Sequence, residues 1–371
     1  MERFKKITRY CPIWCLALYA VAILCLVCNI ISLNSVSFSD WFNGSVSAAV
    51  RYLLSAITGW LPFSLGETLV ICTPIIAIML LIRMIRLSKS EFGRAIRYIS
   101  GLLAVCTLFY SLFVLTFSTA YRGTTLDEKL GLVRAKVTAS ELKQTAEILL
   151  DKANEYAEND ITYLRDGSSD MGYSFDELND KLNGAYLAAS EKYPFIQKMS
   201  SNVKEVALSE LMSYTHITGV YTYFTGEANI NCVFPDYTIP FTMAHEMAHQ
   251  RGIAREDEAN FVAFLVCLES DDRYILYSAY LNMYEYVVNA LYRADKTLYK
   301  TVASKKSARI SAEQTAYNEF FAKYQDSVAS NVAGTVNDAY LKDQGQTAGA
   351  KSYGLVVDLT VSYYKNNNMI E

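Results

Sequence analysis

Apolar residues are concentrated in the first third of this chain. Residues 11–39 and 98–121 contain no charged side chain, and residues 66–86 carry only Glu67 near one end and Arg83 and Arg86 near the other. Each stretch is long enough to cross a hydrocarbon core, which needs about twenty residues. They predict three membrane-spanning helices at about 12–33, 66–86 and 98–119, within a membrane domain of residues 1–120. Pro74 is tolerable inside the second span, and Arg83 can extend its charge to the interface. Between the first two spans, residues 46–61 carry Val50, Tyr52, Leu53, Leu54 and Ile57, with Trp60 close behind. This segment reads either as an amphipathic helix lying in the outer interface or as an apolar loop packed on the spans.

Beyond residue 120 the pattern changes. Apolar positions recur every three or four residues over Leu126–Ala157, Phe175–Ser190, Val203–Met212, Asp272–Ala303 and Ala312–Ser330, which predicts helices. One region breaks that rhythm. Val220–Phe224 is β-branched and aromatic, Thr225-Gly226 is a turn signal and residues 228–234 alternate, so a small hairpin is expected there. The expected class is mainly α: three transmembrane helices, then a mostly helical α+β domain over residues 121–371. Tyr274, Tyr277, Tyr280, Tyr284 and Tyr286 fall on one predicted helix, a stripe that reads as packing with a wet end.

Charge sets an orientation. Arg3, Lys5, Lys6 and Arg9 precede the first span, Arg51 alone lies between the first and second, and Arg83, Arg86, Lys89, Arg94 and Arg97 lie between the second and third. The excess of basic residues marks the cytoplasmic side. The N-terminus is then cytoplasmic, and an odd number of spans places the C-terminal domain outside the cytoplasm, in a multi-pass protein of the cell membrane. A cleaved signal peptide would also export the rest of the chain, but the first segment is long for one and two more spans come after it. Residues 119–371 hold twenty-four basic and thirty-four acidic residues, a balance of about −10 that argues against a nucleic-acid partner. Cys232 and Cys267 are the only cysteines of this domain, and their spacing does not require a disulfide.

The chain has three histidines, and two lie in His245-Glu246-Met247-Ala248-His249. Side chains four residues apart on a helix share a face, so both imidazoles can reach one metal ion with Glu246 beside it. Pro240 marks the start of a short helix, and Gly252 its stop. A catalytic zinc wants three protein ligands and one open position. Glu256 and Glu258 compete for the third place at the start of the next helix. Glu256 is preferred, because it shares a face with Asn260, whose amide can orient a ligand histidine from outside the ligand set. On this reading His245, His249 and Glu256 hold one Zn2+ ion, and Glu246 is the general base that takes a proton from an attacking water.

Glu256-Asp257-Glu258-Ala259-Asn260 resembles the second motif of glutamate-type zincins, in which a glutamate precedes an Ala-Asp or Ala-Asn pair by three residues. The departure is the spacing, since only residues 250–255 separate His249 from Glu256. The wider stretches Gly226–Asn231, Pro240–His249, Arg255–Phe261, Asn337–Lys342 and Lys351–Gly354 resemble an uncharacterised family of three-span bacterial membrane proteins in the zincin metallopeptidase clan. That resemblance implies a zincin-like fold with an edge strand beside the metal helix, to which a peptide can add as a further strand. Glu227, Asn229 and Asn231 either line such a groove or face solvent. Transition-state donors are sought among His216, Arg255 and Tyr353, the last on resemblance alone. His216 also reads as an ordinary core or surface histidine. The function expected is a membrane-anchored zinc-dependent endopeptidase acting on peptides or proteins outside the cytoplasm. The alternative is a non-catalytic zinc-binding membrane sensor or binding protein.

Overall fold

The computed structural model describes residues 8–90, 92–325, 327–346, 348–349 and 355–370. The chain divides into two compact units, the first running through Gly123 and including Thr222–Gly226, the second formed by Thr124–Tyr221 and the chain from Glu227 onward.

In the first unit, helices Ile13–Asn34, Leu65–Ser90 and Phe92–Thr116 are, among the described residues, the three long and apolar enough to cross a membrane. The first and second each pack on the third. Their outward faces carry Ile23, Leu24, Ile75, Ile78, Met79 and Leu103, all more than half exposed. The third helix begins at Phe92, before the expected residue 98, because Arg94 and Arg97 end the apolar stretch without opposing the helix. It closes at Thr116 in a 3-10 turn, Ser118–Arg122.

The segment between the first two of these apolar helices is helical. Helices Val36–Phe42 and Ala48–Gly59 flank a π-turn at Asn43–Ser47. Ala48–Gly59 exposes Tyr52, Leu53 and Ile57 and buries Arg51, Ser55 and Thr58, as an amphipathic helix does. Arg51 is thus a buried cation. Its Nη1 donates to Asn43 Oδ1 at 2.8 Å and to the Thr116 carbonyl at 2.9 Å. The hairpin tip, residues 222–226, packs in the same unit, with Phe224 and Tyr223 edge-on to Phe109 and Phe113.

The second unit is built on helices Ala139–Asn159, Phe175–Lys192, Ile239–Gln250, Glu256–Cys267, Arg273–Ala294 and Val356–Asn366 around one apolar core. Several expected helices are broken, each for a local reason. Leu126–Ala157 divides into Leu126–Leu130 and Ala139–Asn159: Gly131 takes the left-handed conformation that ends a helix, and Thr138 starts the next with a reciprocal capping box to Glu141. Asp295 interrupts Asp272–Ala303, and its carboxylate accepts from the Thr297 and Leu298 amides to start Lys296–Ala303. Ala312–Ser330 becomes Ala308–Ala322 and Val328–Asp343, the latter capped by Ser327.

Val203–Met212 is largely not helix. Lys204–Glu205 forms strand β3, and only Ser209–Ser213 is α-helical. The hairpin strands are β4 (Gly219–Thr222) and β5 (Glu227–Ile230), and β3 pairs with β5 in parallel, with Lys204 opposite Asn229 and Glu205 opposite Ile230. The sheet order β3-β5-β4 leaves β4 at an edge. A second small ribbon pairs β1 (Thr162–Tyr163) antiparallel with β2 (Ser169–Asp170) through a turn at residues 164–168. Cys232 and Cys267 are both free.

Candidate metal centre

The two helices that carry the site are joined by a turn that the sequence specifies closely. Helix Ile239–Gln250 starts with Pro240 in its first turn, where the missing N–H costs nothing. It ends in a Schellman turn: Gly252 is left-handed (φ 86°), its N–H donates to the His249 carbonyl at 2.9 Å, and the Ile253 N–H donates to the Ala248 carbonyl at 3.1 Å. This brings the Ile253 carbonyl back onto His249, whose Nδ1 donates to it at 2.7 Å. The bond fixes the ring and its tautomer and turns Nε2 toward Glu256. The helix itself is held from outside, because the Tyr186 hydroxyl donates to the Ala244 carbonyl and the Phe241 N–H to Ser278 Oγ. The buried Arg251 guanidinium reaches Ser201 Oγ and the Met199 carbonyl and lies 3.9 Å over the Tyr186 ring.

Helix Glu256–Cys267 opens with three successive carboxylates, all buried. Successive helix positions point about 100° apart, so each finds a different partner. Glu256 Oε2 lies 3.2 Å from His245 Nε2 and 3.4 Å from His249 Nε2. Asp257 pairs with Arg134 Nη1 at 2.8 Å. Glu258 pairs with Arg255 Nη1 at 2.8 Å and accepts the Leu126 N–H at 2.9 Å. Of the two candidates for the third place, Glu256 faces the imidazoles and Glu258 is engaged elsewhere.

His245, His249 and Glu256 form a buried group able to hold a metal ion. Tetrahedral ligands with bonds of 2.0–2.1 Å stand about 3.3 Å apart, and the observed 3.2 and 3.4 Å match that edge. The electrostatics also ask for a cation. Burial opposes ionisation of Glu256, yet the His249 and His245 imidazoles outweigh it and hold the carboxyl well below its ordinary range. Burial would lower the His249 imidazole, but Glu256 beside it pushes it up to about 9. Burial raises the Glu246 carboxyl, against the pull of both imidazoles. Glu246 accepts the Tyr221 backbone N–H with one oxygen, while its buried Oε2 has no partner among the described residues.

Residues 42–361 match the profile of a family described as Protein of unknown function (DUF3810). The chain belongs to this family. No curated protein and no solved structure matches it.

The other expected site residues of this DUF3810 chain fall in different places. Asn260 is buried one turn beyond Glu256, but its side chain meets the Tyr286 hydroxyl. Among the described residues, its Nδ2 and His245 Nδ1 both lack hydrogen-bond partners, so the expected contact with a ligand histidine is absent there. The carbonyl of Ile253 orients His249 instead. His216, in the left-handed conformation (φ 60°), donates its Nε2–H to the Tyr324 carbonyl at 2.8 Å and packs at a tilt against the Phe321 ring, outside the metal group. Arg255 is drawn to Glu258.

Glu227, Asn229 and Asn231 are at most 2% exposed, so they are not solvent-facing hairpin residues. The Asn229 amide donates to the Val220 carbonyl and the Asn231 amide to the Ile217 carbonyl, which fastens β4 from behind. Tyr353 lies outside the described residues. Ile253, Tyr221 and Gly219 had no place in the expected site. The Gly252-Ile253 pair after the helix was a readable signal for the first, while the other two depend on strand packing that no local pattern announces.

Proposed function

We propose that this chain is a membrane-anchored zinc endopeptidase of the glutamate-zincin type, with its C-terminal domain on the extracytoplasmic side. The observation that carries the reading is the triangle of His245, His249 and Glu256 ligand atoms with the unpartnered Glu246 oxygen beside it. Two neutral imidazoles and one carboxylate are a donor set typical of catalytic zinc. The orientation rests on the basic residues before the first span and between the second and third.

Zinc, when bound, lowers the pKa of a water and polarises a carbonyl. His245 and His249 present Nε2 lone pairs, and the Ile253 carbonyl keeps the His249 proton on Nδ1. Glu246, held at one oxygen by the Tyr221 N–H, takes the proton of the attacking water on its free oxygen and passes it to the leaving amine. Its raised carboxyl pKa, set by burial, favours that capture. A sensor that only binds metal has no use for this unpartnered carboxylate.

The test is peptide hydrolysis by the purified full chain in detergent, beside Glu246→Gln. The expected result is a loss of about a hundredfold or more in turnover with metal content unchanged. Equal activity in both would contradict the reading, and a metal-loaded wild type with no turnover on a diverse peptide library would favour the sensor.

A further inference from the structure

Gly219 stands at the start of edge strand β4, directly against Glu246. A Cβ at this position would lie 2.7 Å from both Cγ and Oε1 of Glu246 and 3.0 Å from its Cδ. Neither backbone is free to retreat. On one side, the Asn229 amide holds the Val220 carbonyl at 3.1 Å, the Asn231 amide holds the Ile217 carbonyl at 3.2 Å, and the Asn231 N–H holds the Thr218 carbonyl at 2.9 Å. On the other, Tyr186 and Ser278 hold the Ala244 carbonyl and the Phe241 N–H of the helix that carries Glu246. The one part able to move is the end of the Glu246 side chain.

We infer that Gly219 is a positioning residue for Glu246: the missing side chain makes a seat in β4 that fixes how the carboxylate stands beside the metal ligands. Two contacts define the seat. Cγ and Oε1 occupy the space that a side chain at Gly219 would need, and the Tyr221 N–H binds the same carboxylate, which leaves Oε2 as the oxygen without a partner among the described residues. The strand therefore does more than border the site. It selects which oxygen of the base is held and which is available. The effect on turnover rests on the endopeptidase reading, whereas the packing claim stands apart from it.

The experiment is a double-mutant cycle on the full chain in detergent: wild type, Gly219→Ala, Glu246→Ala and the double variant. Each is read for metal affinity, for thermal midpoint without metal, and for peptide turnover. Gly219→Ala should lower kcat by about tenfold to a hundredfold with little change in KM and leave metal affinity within about threefold, because no ligand is touched. It should also lower the metal-free thermal midpoint by a few degrees. In the Glu246→Ala background the same substitution should change neither midpoint nor affinity, because truncation leaves room for the new methyl. If Gly219→Ala does not fold but the double variant does, that rescue supports the seat as well. Additive loss of thermal midpoint, failure of both Gly219 variants to fold, or an unaltered Gly219→Ala protein would overturn it. An inactive wild type would defeat the endopeptidase reading and leave the thermal coupling to decide the seat.

Discussion

Helices Leu65–Ser90 and Glu256–Cys267 invert each other's chemistry. The first is apolar over most of its length, and none of its most apolar window is buried; Val70, Ile75, Ile78 and Leu81 all face outward. The second is buried at all twelve positions, including three consecutive carboxylates. Each arrangement needs a particular counterpart. Exposed apolar side chains are stable against hydrocarbon, and buried carboxylates are stable against cations or hydrogen-bond donors. Asp257 and Glu258 have arginines from the chain itself, whereas Glu256 has only imidazoles. The contrast thus singles out the one buried carboxylate of the three that faces imidazoles and no arginine.

Substitutions at equivalent apolar positions separate the two environments most strongly. Phe264→Ala, at a fully buried site, should cost about 3–5 kcal/mol in denaturation of the purified protein. Ile78→Ala, at a site 59% exposed, should stay below about 1 kcal/mol. Ile78→Asp should make the exposed site costly as well, by opposing membrane insertion at roughly 3 kcal/mol in a translocation assay. Equal costs for the two alanine variants would mean that the exposed helix packs against protein.

The carboxylates give smaller effects. Glu258→Gln removes the negative charge that faces Arg255 Nη1 at a mostly buried site, and should cost about 1–3 kcal/mol of stability while metal content stays unchanged. Loss of metal in that variant would reassign the third ligand. The Glu285 carboxyl is a third kind of case, with the neutral donors Tyr237 and Gln314 each at 3.3 Å. Burial raises it from 4.5 to about 7. The folded chain therefore keeps a proton that the unfolded chain releases between those values. The stabilisation is full below pH 4.5 and is lost as pH rises through 7, by about 1–3 kcal/mol. Glu285→Gln should flatten that slope in stability measured against pH, and an unaltered slope would show that Glu285 does not carry it.

The three long apolar helices and the His245-His249-Glu256 group were legible because they depend on local patterns. Uncharged runs mark the long apolar helices, and i, i+4 spacing puts both histidines on one face; the preference for Glu256 over Glu258 rested on Asn260, whose side chain meets the Tyr286 hydroxyl instead. The breaks at Gly131, Thr138 and Asp295 carry ordinary capping residues, but the apolar rhythm runs through them and conceals the stops. Strand β3 was hidden for a different reason. Lys204 and Glu205 become a strand only by pairing with Asn229 and Ile230, a long-range contact that overrides a weak local preference. Asn229 and Asn231 look like exposed hairpin residues until the strand behind them is known. Gly219 has no signature at all, because its importance lies in what a side chain would strike.

The account rests on a metal held by His245, His249 and Glu256, and metal content tests it most directly. The full chain, purified in detergent without added metal, is measured by elemental analysis beside Glu246→Gln and Glu256→Gln. One zinc per chain is expected in the wild type and in Glu246→Gln. In Glu256→Gln the affinity should fall by more than about a hundredfold, beyond the effect of removing an outer partner. Equal, negligible zinc in all three proteins, or zinc retained undiminished in Glu256→Gln, would contradict the account.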